Sequence, residues 1–545
     1  MSGYDASAYR RFFEHEFSYI GGFSRNTHRY ANRPALIDPA DGSVTTYAEL
    51  GRRVAGLAAG LAGRGVGKGD IVSYQLFNSV PFAELYLATQ AFGAVGSPIN
   101  YRLAPGETAF ILDDCTPAAF IYDAALEEAT AKALSLARHR PGLLVRVGKA
   151  EAELVEALDW EELGRPGAMA PAREGSIYDE TTRLFTSGTT GMPKAVPLNS
   201  AVEIFSAHDV IMHFPLSPDD RTLNMTPWFH RGGLYSGGPN PVFYVGAAAL
   251  PMRAFEPGLC LDYVEQHRIT FLIGAPTTVA MLANAQQERP RDLSSLRGIV
   301  TMGSPLEREA ALRYQALLSP RIFNGYGTTE AFWNTFLRPG DLPDGAGSAG
   351  QACIDDDVAV VRLFDDRPAE PDELAAKDGH EVGEVIVRSP KSGMAYAGAG
   401  TRENRKYRDG WLYIGDLATW DEDEFVTIVG RKDDMIISGG ENVHPVQVEE
   451  VLNQHPGVAD SLVVGISDPT WGRRVVAYVV PKDPTLNAAE LDLYCKGHSM
   501  LAGYKRPRAY RFVESLPLTA TGKKVHYVAT RNAEEEHAQG LFQEP

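Results

Sequence analysis

Between residues 45 and 330 the chain switches repeatedly between helix-period and strand-type apolar patterns, and this alternation narrows the fold more than any other feature. Leu50, Val54, Leu57 and Leu61 recur at helical spacing, and IVSYQL from Ile71 then reads as a buried strand. A helix over 81–94 and a strand AAFIYD from Ala118 continue the pattern. Past Arg221 it resumes as TLNMTP, LCLDYVEQH, TFLIGAP, TVAMLANAQ, GIVTMG, REAALRYQALL and RIFNGYG. Strands joined through helices cross over right-handed into parallel neighbours, so two such blocks predict mostly parallel sheets clad in helices. From Asp355 to Val429 helical periodicity is lost, and the short strands VAVVRL, GEVIVRS and FVTIVG predict a small β subdomain. After Arg431 the order becomes helix, two strands, helix, strand, a compact α+β unit. The expectation is an α/β protein with an N-terminal body over 1–430, a polar hinge RKDD at 431–434, and an α+β domain over 435–545.

Composition excludes several classes of function. Hydrophobic residues at 44% and charged residues at 22% fit a globular enzyme rather than a disordered chain. With 52 basic against 70 acidic residues the net charge is −18, which repels polyanions, so nucleic acid is not an expected partner. Anionic substrates then require a local basic cluster. Cys115, Cys260, Cys353 and Cys495 lie far apart and form no C-x-x-C pair, which predicts neither zinc nor disulfides and fits a reducing compartment. No apolar run approaches the roughly 20 residues of a membrane span, so membrane insertion is not expected. The start MSGYDASAYRRFFEHEF has no signal-peptide pattern and the end LFQEP is no peroxisomal address, so a cytoplasmic protein is expected.

The stretch LFTSGTTGMPKAVPL, Leu184 to Leu198, carries the clearest chemistry. A strand leads into Thr186, Ser187, Gly188, Thr189, Thr190 and Gly191, Lys194 follows, and a helix begins near Ser200. Open N–H groups and hydroxyls around one lysine suit polyphosphate oxygens. A Walker A loop is excluded, because no lysine directly follows the second glycine.

With this loop go TTYAEL (45–50), TPWFHRGG (226–233), TMGSPL (301–306), NGYGTTE (324–330), DGWLYIGD (409–416), GRKDDMIISGGENVHPVQVE (430–449) and LPLTATGKK (516–524). Taken in this order they closely resemble the AMP-forming adenylate-forming superfamily, which includes acyl- and aryl-CoA synthetases. The resemblance implies two half-reactions: a carboxylate attacks ATP to give acyl-AMP and pyrophosphate, then a thiol displaces AMP. It implies ATP, Mg²⁺ and coenzyme A, with a C-terminal domain that moves between the two steps.

Residue by residue, the resemblance implies a nucleotide site of Thr186 through Gly191, Lys194, Gly303, Ser304, Asn324, Gly325, Tyr326, Gly327, Thr328, Asp416 and Arg431. Tyr326 offers a flat face to adenine, and Thr328 a hydroxyl to the α-phosphate. Asp416 can take both hydroxyls of a ribose diol. Glu330 and Thr186 are the expected Mg²⁺ contacts. Lys523 matches the family's C-terminal catalytic lysine, and Asp433 the hinge. Ile414 stands where the family usually has Thr.

Trp228, Phe229, His230, Tyr235, Phe332 and Trp333 are expected at the acyl pocket, with His230 at its channel. Their bulk favours an aromatic, alicyclic or short-to-medium acid, and the lack of Asp between Met225 and Gly238 disfavours an α-amino acid. Arg231 raises the alternative of a dicarboxylate if it points inward. Gly439, Gly440, Trp471, Tyr504 and Arg506 are expected at coenzyme A. The alternatives are a ligase loading a separate carrier protein and a nucleotide-binding regulator without activity. No carrier segment follows Lys523, and retention of Lys194, Glu330, Asp416, Arg431 and Lys523 favours an active acyl-CoA synthetase. A homodimer is the open alternative to a monomer.

Overall fold

The TTYAEL motif is a capping box. Thr46 Oγ1 accepts from the Glu49 N–H at 3.3 Å, and Glu49 Oε2 accepts from the Thr46 N–H at 2.9 Å. Each side chain satisfies an open donor of the other, which fixes the start of the helix Tyr47–Ala62. Its apolar face buries Leu50, Val54, Leu57 and Leu61, the four residues whose spacing predicts it.

The computed structural model describes residues 5–545 apart from 166, 173–174, 187–192, 304–305, 365–366, 394, 398–405, 439–440, 469–470, 499–500, 502 and 519–523, and apart from the side chains of 433, 437, 441, 442, 472 and 527. The chain divides into two compact units, Met1–Asp357 with Val387–Leu412, and Val358–Ile386 with Tyr413–Pro545.

The first unit carries two large sheets. One runs Leu158–Asp159, Leu143–Val147, Ala119–Asp123, Ile71–Gln75, Val95–Pro98, Glu180–Thr186, Lys194–Asn199. The other runs Gln351–Ala352, Phe332–Leu337, Ile322–Thr328, Gly298–Met302, Phe271–Gly274, Arg221–Asn224, Ala248–Leu250, Pro34–Ile37, Val44–Thr46. Their interiors are parallel, as the alternation predicts. Three of their four edges are antiparallel, which it does not predict, and the fourth, at Leu158–Asp159, is parallel. At two of these edges a hairpin replaces the crossover, and both hairpins hold residues of the expected site. Apolar residues of both sheets, Val72, Tyr74, Ile121, Ile273, Val300 and Phe323 among them, share one core.

In the second unit a three-stranded sheet of Val458–Asp468, Gly472–Pro481 and Tyr510–Phe512 is covered on both faces. Successive residues of a strand point to opposite sides. Val463, Val475, Ala477 and Val479 therefore pack with the helices Pro445–Asn453 and Ala488–Gly497. Leu462, Val464, Ile466, Val476 and Tyr478 pack with Ala529 and Ala533 of the helix His526–Ala538. Most of the expected β subdomain, 358–386 and 413–431, groups with these C-terminal residues. Within this second unit Lys432 Nζ, in the expected hinge segment 431–434, reaches Glu384 Oε2 at 2.8 Å. Among the described residues no helix is long and apolar enough to cross a membrane.

Candidate active site

Thr186 and Lys194 are Cα partners in the antiparallel pair, so together they close the neck of the expected phosphate loop. Ser187, Gly188, Thr189, Thr190 and Gly191 lie outside the described residues. Beyond the second strand, Asn199 accepts from the Val202 N–H at 3.0 Å and caps the helix Ser200–His213. The Lys194 ammonium stands 5.7 Å from the centre of the Tyr396 ring.

The NGYGTTE motif spans the end of a strand and the turn into its antiparallel neighbour. Parallel pairing sets Asn324 beside Thr301, whose hydroxyl donates to Asn324 Oδ1 at 2.8 Å. The register slips between Tyr326 and Gly327, and a Cβ on Gly327 would lie 1.5 Å from the Phe332 carbonyl oxygen. Only glycine fits that bulge. Gly303 has φ +92°, the left-handed conformation that a tight exit from the neighbouring strand requires, while Ser304 lies outside the described residues. Gly325 is overlain by the Trp333 indole, 2.8 Å from where a Cβ would stand. Tyr326 lies opposite Thr335, and the Thr328 hydroxyl oxygen accepts from the Ala331 N–H at 3.2 Å. Glu330 completes the turn. Its carboxylate accepts from the Tyr396 hydroxyl, and its carbonyl accepts from the Gly393 N–H at 2.9 Å.

The donor set suits Mg²⁺. Thr186 supplies a hydroxyl oxygen and Glu330 a carboxylate, both hard ligands, and the hydrogen bond from Tyr396 comes from a neutral group that leaves the carboxylate its charge.

The element expected at the acyl pocket is held by asparagines. Asn78 Oδ1 accepts from the Trp228 N–H at 2.7 Å, and Asn224 Nδ2 donates to the Ser236 carbonyl at 2.9 Å. Trp228 meets Phe82 edge-on at 5.6 Å, and Phe229 meets Tyr101 edge-on at 5.1 Å. The His230 ring lies 4.3 Å from that of Phe229. Tyr235 is 5.9 Å from Phe332, which stacks on Trp333 at 5.0 Å. Trp228, Phe229, Tyr235, Phe332 and Trp333 are all buried in the main core.

Arg231 points inward, between the rings of Tyr235 and Phe332 at 5.4 and 5.6 Å. Its Nη1 donates to the Thr329 carbonyl at 2.5 Å and its Nη2 to the Lys391 carbonyl at 2.7 Å. Both terminal nitrogens therefore tie backbone carbonyls, so the inward-pointing guanidinium holds the turn around Thr329 and the segment around Lys391. Burial pulls the guanidinium pKa below its ordinary value.

Behind this element lies a polar cluster that the sequence does not announce. Lys391 is 1% exposed, with Nζ 2.9 Å from Asp209 Oδ2 and 3.0 Å from Asp356 Oδ2. Burial raises Asp356, whereas on Asp209 burial is outweighed by the hydrogen bond with His213 and the charge of Lys391, and its pKa falls. Asp209, His213 and Cys353 stand close enough to share a metal ion. The ammonium of Lys391 already supplies a positive charge there. Tyr396 and Lys391 are the two residues sequence reasoning missed. Both lie in an irregular segment without period, so no spacing signal marks them.

The second unit holds the remaining candidates. Asp416 and Arg431 are cross-strand partners, with Arg431 Nε 3.5 Å from Asp416 Oδ1. Asp433 lies in the one-turn helix Lys432–Asp434, its side chain outside the described atoms. Gly439, Gly440 and Lys523 also lie outside the described residues. Lys524 is described: its Nζ is 3.2 Å from Glu449 Oε2 and 2.8 Å from Asp460 Oδ1. His526 Nε2 is 2.7 Å from Glu449 Oε1.

Trp471 and Arg506 line one open cleft of about 850 Å³ together with Arg474, Lys496 and Arg508. Among the described residues Asp468 and Asp492 are its only carboxylate side chains, and Asp492 Oδ1 holds Arg506 Nε at 2.6 Å. Burial and the neighbouring Arg506 both lower the pKa of Arg508, so the cations are crowded. Tyr504 is 40% exposed and lies next in sequence to this basic cluster without lining the cleft.

Residues 23–397 match the family model described as AMP-binding enzyme, and residues 447–523 match its C-terminal domain. A feruloyl-CoA synthase of an Amycolatopsis species is 35% identical over 88% of this chain and 92% of its own length. An indoleacetate–CoA ligase of Aromatoleum aromaticum is 32% identical over 88% of this chain and 91% of its own. Among solved structures, ATP-bound MatB from Rhodopseudomonas palustris superposes with a TM-score of 0.83 at 26% identity, covering 95% of this chain and 99% of that one.

Proposed function

Because the chain belongs to the AMP-binding enzyme family and is an AMP-forming acid–thiol ligase, we propose that it joins an aromatic, alicyclic or short-to-medium carboxylic acid to coenzyme A. The observation that carries the choice of acid is the buried aromatic wall of Tyr235, Phe332 and Trp333, closed by Arg231 between two of its rings. The two relatives named above, which take feruloyl and indoleacetyl groups, support it.

In this reading Thr186, Lys194, the loop between them and Thr328 hold the phosphates, Tyr326 the adenine, and Asp416 with Arg431 the ribose. Glu330 and Thr186 hold Mg²⁺, which when bound neutralises phosphate charge. His230 stands at the acyl channel. Lys523 bridges the carboxylate and the α-phosphate, and Asp433 is the pivot on which the C-terminal residues turn between half-reactions.

Coenzyme A as the acceptor is supported by the cleft of the second unit. Arg474, Lys496, Arg506 and Arg508 line it, the first paired with Glu544 and the next two with Asp492, so the support rests on cations concentrated in one place in a chain of net charge −18 and on the half-exposed Trp471, which offers a stacking face. The chain's own cysteines are no rival acceptor. All four are buried, and burial pushes Cys115 and Cys495 up to about 11 and raises the other two as well. These free thiols also fit a cytoplasmic setting.

The test is a pyrophosphate-release panel of acids with Mg²⁺, with and without coenzyme A. AMP and pyrophosphate are the expected nucleotide products, with CoA thioester formed only when coenzyme A is present. ADP with orthophosphate would contradict the chemistry. A higher kcat/KM for palmitate than for benzoate, cyclohexanecarboxylate and hexanoate would contradict the choice of acid.

A further inference from the structure

Tyr396 stands where three segments meet. Its hydroxyl donates to the Glu330 carboxylate, and the Lys194 ammonium sits 5.7 Å from its ring centre. The surrounding backbone fixes it there. The Gly393 N–H donates to the Glu330 carbonyl at 2.9 Å, and the Ala397 N–H donates to the Ala195 carbonyl at 2.9 Å. A Cβ on Gly393 would lie 2.8 Å from the Pro197 carbonyl oxygen, so the segment lies directly on the strand that begins at Lys194. Arg231 adds a second tie by joining the carbonyls of Thr329 and Lys391. Tyr396 is 6% exposed.

The chemistry of the three side chains gives this meeting a purpose. Glu330 is useful to a cation only while its carboxylate stays charged and oriented, and Lys194 is useful to a triphosphate only while its ammonium stays unneutralised. A lysine and a glutamate left in one polar neighbourhood would pair with each other. The Tyr396 phenol meets both groups and offers each a neutral partner: its O–H gives the carboxylate a charge-assisted hydrogen bond, and its ring gives the ammonium a weak attraction. A basic residue in place of Tyr396 would neutralise Glu330, and an aliphatic one would neither hold the carboxylate nor satisfy the ammonium.

We propose that Tyr396 is a positioning residue that aims the Glu330 carboxylate at its metal ion and keeps Lys194 from neutralising it. The proposal rests on the reading of Glu330 as a Mg²⁺ contact. The experiment is a titration of the full chain with Mn²⁺ in the presence of a non-hydrolysable ATP analogue, followed by electron paramagnetic resonance, on wild type, Tyr396→Phe, Tyr396→Leu and Glu330→Gln. Tyr396→Phe keeps the ring and loses only the donor. It is expected to weaken Mn²⁺ binding about tenfold, with metal-free binding of the analogue and the melting temperature unchanged. Tyr396→Leu also loses the ring and is expected to weaken metal-free analogue binding, because Lys194 then pairs with Glu330. Mn²⁺ affinity at the wild-type level in Tyr396→Phe, with Glu330→Gln impaired, would overturn the positioning role alone. Mn²⁺ affinity at the wild-type level in Glu330→Gln would overturn the reading of Glu330 and the proposal with it. A Tyr396→Phe protein that binds Mn²⁺ poorly but also melts much lower would make the tyrosine structural and overturn the proposal as well.

Discussion

Arg431 and Asp416 face each other across the antiparallel strands Trp411–Trp420 and Val426–Arg431, with Nε 3.5 Å from Oδ1. The pairing orients a carboxylate with a cation that is 42% exposed, while Asp416 itself is 12% exposed. That arrangement orients the carboxylate for the proposed role of accepting two hydrogen bonds from a ribose diol.

Asp416→Asn retains the shape but exchanges one acceptor oxygen for a donor, so one ribose hydroxyl loses its partner. A hydrogen bond to a charged group contributes about 1.5–3 kcal/mol, which corresponds to roughly a 10- to 100-fold rise in KM for ATP. Steady-state kinetics at saturating acid will measure it. An unchanged KM for ATP would remove Asp416 from the nucleotide site.

Lys391 is the cation of a buried cluster, and its loss strands two carboxylates. Lys391→Met is expected to destabilise the first unit by about 3–5 kcal/mol, the usual cost of leaving a buried charge without its partner. Asp209 and Asp356 can then be relieved only by taking up protons, so the difference in melting temperature from wild type should shrink as pH falls from 8 to 5. Because the lysine already serves as the cation, chelation with EDTA is expected to leave the wild-type melting temperature where it is. A drop on chelation would assign a metal to Asp209, His213 and Cys353 instead.

The pH dependence of the second unit should carry the signature of His526. Burial pulls its pKa down, but the hydrogen bond and charge of Glu449, with Asp434 at 3.9 Å, outweigh burial and the nearby Lys524, and the net shift is upward. Glu449 is pushed up by burial and pulled down further by His526 and Lys524, so its net shift is downward. A raised histidine stabilises fully below its unfolded value of about 6.5 and loses that contribution as pH rises through the folded value. A lowered glutamate stabilises above its unfolded value of about 4.3 and loses that contribution as pH falls through the folded value. The pair is therefore fully effective between those unfolded values and fades on the alkaline side. His526→Gln should flatten the alkaline fall in protection of the helix Pro445–Asn453 against hydrogen exchange. An identical fall in the variant would exclude His526 as its cause.

What the sequence reveals and what it hides divide along physical lines. Period and motif chemistry are local, so the helix over Leu50 to Leu61, the glycine at 327 and the strand into Thr186 are all legible. Antiparallel edges are less so, because a short hairpin and a crossover can begin with the same apolar run. Burial of a polar residue is not legible at all. Lys391 carries no sequence signal until the fold encloses it, Arg231 reads as inward or outward from its motif alone, and the role of Tyr396 depends on Glu330 and Lys194, each far from it in sequence. The bulky residues of the acyl element are buried with the main core, and a pocket wall and a core ask for the same apolar bulk, so the sequence alone does not separate the two roles.

Lys523 lies outside the described residues, but its neighbours bear on which of two adjacent lysines does chemistry. Lys524 is 22% exposed and committed to Glu449 and Asp460, so it is an anchor rather than a free cation. Adenylation brings two anions together, and losing a preorganised cation there costs about 3 kcal/mol or more, roughly 100-fold in rate. Thioester formation from acyl-AMP has no such contact to neutralise. Lys523→Ala should therefore fail to make acyl-AMP yet convert supplied acyl-AMP and coenzyme A at close to the wild-type rate. Lys524→Ala should slow both steps together, because it loosens the segment without removing the reacting cation. Asp433→Pro, by fixing φ near −65° at the proposed pivot, should do the reverse of Lys523→Ala and slow the thioester step more than adenylation. Single-turnover assays of the two half-reactions will separate the three variants, and equal losses in both steps for Lys523→Ala would transfer the catalytic role elsewhere.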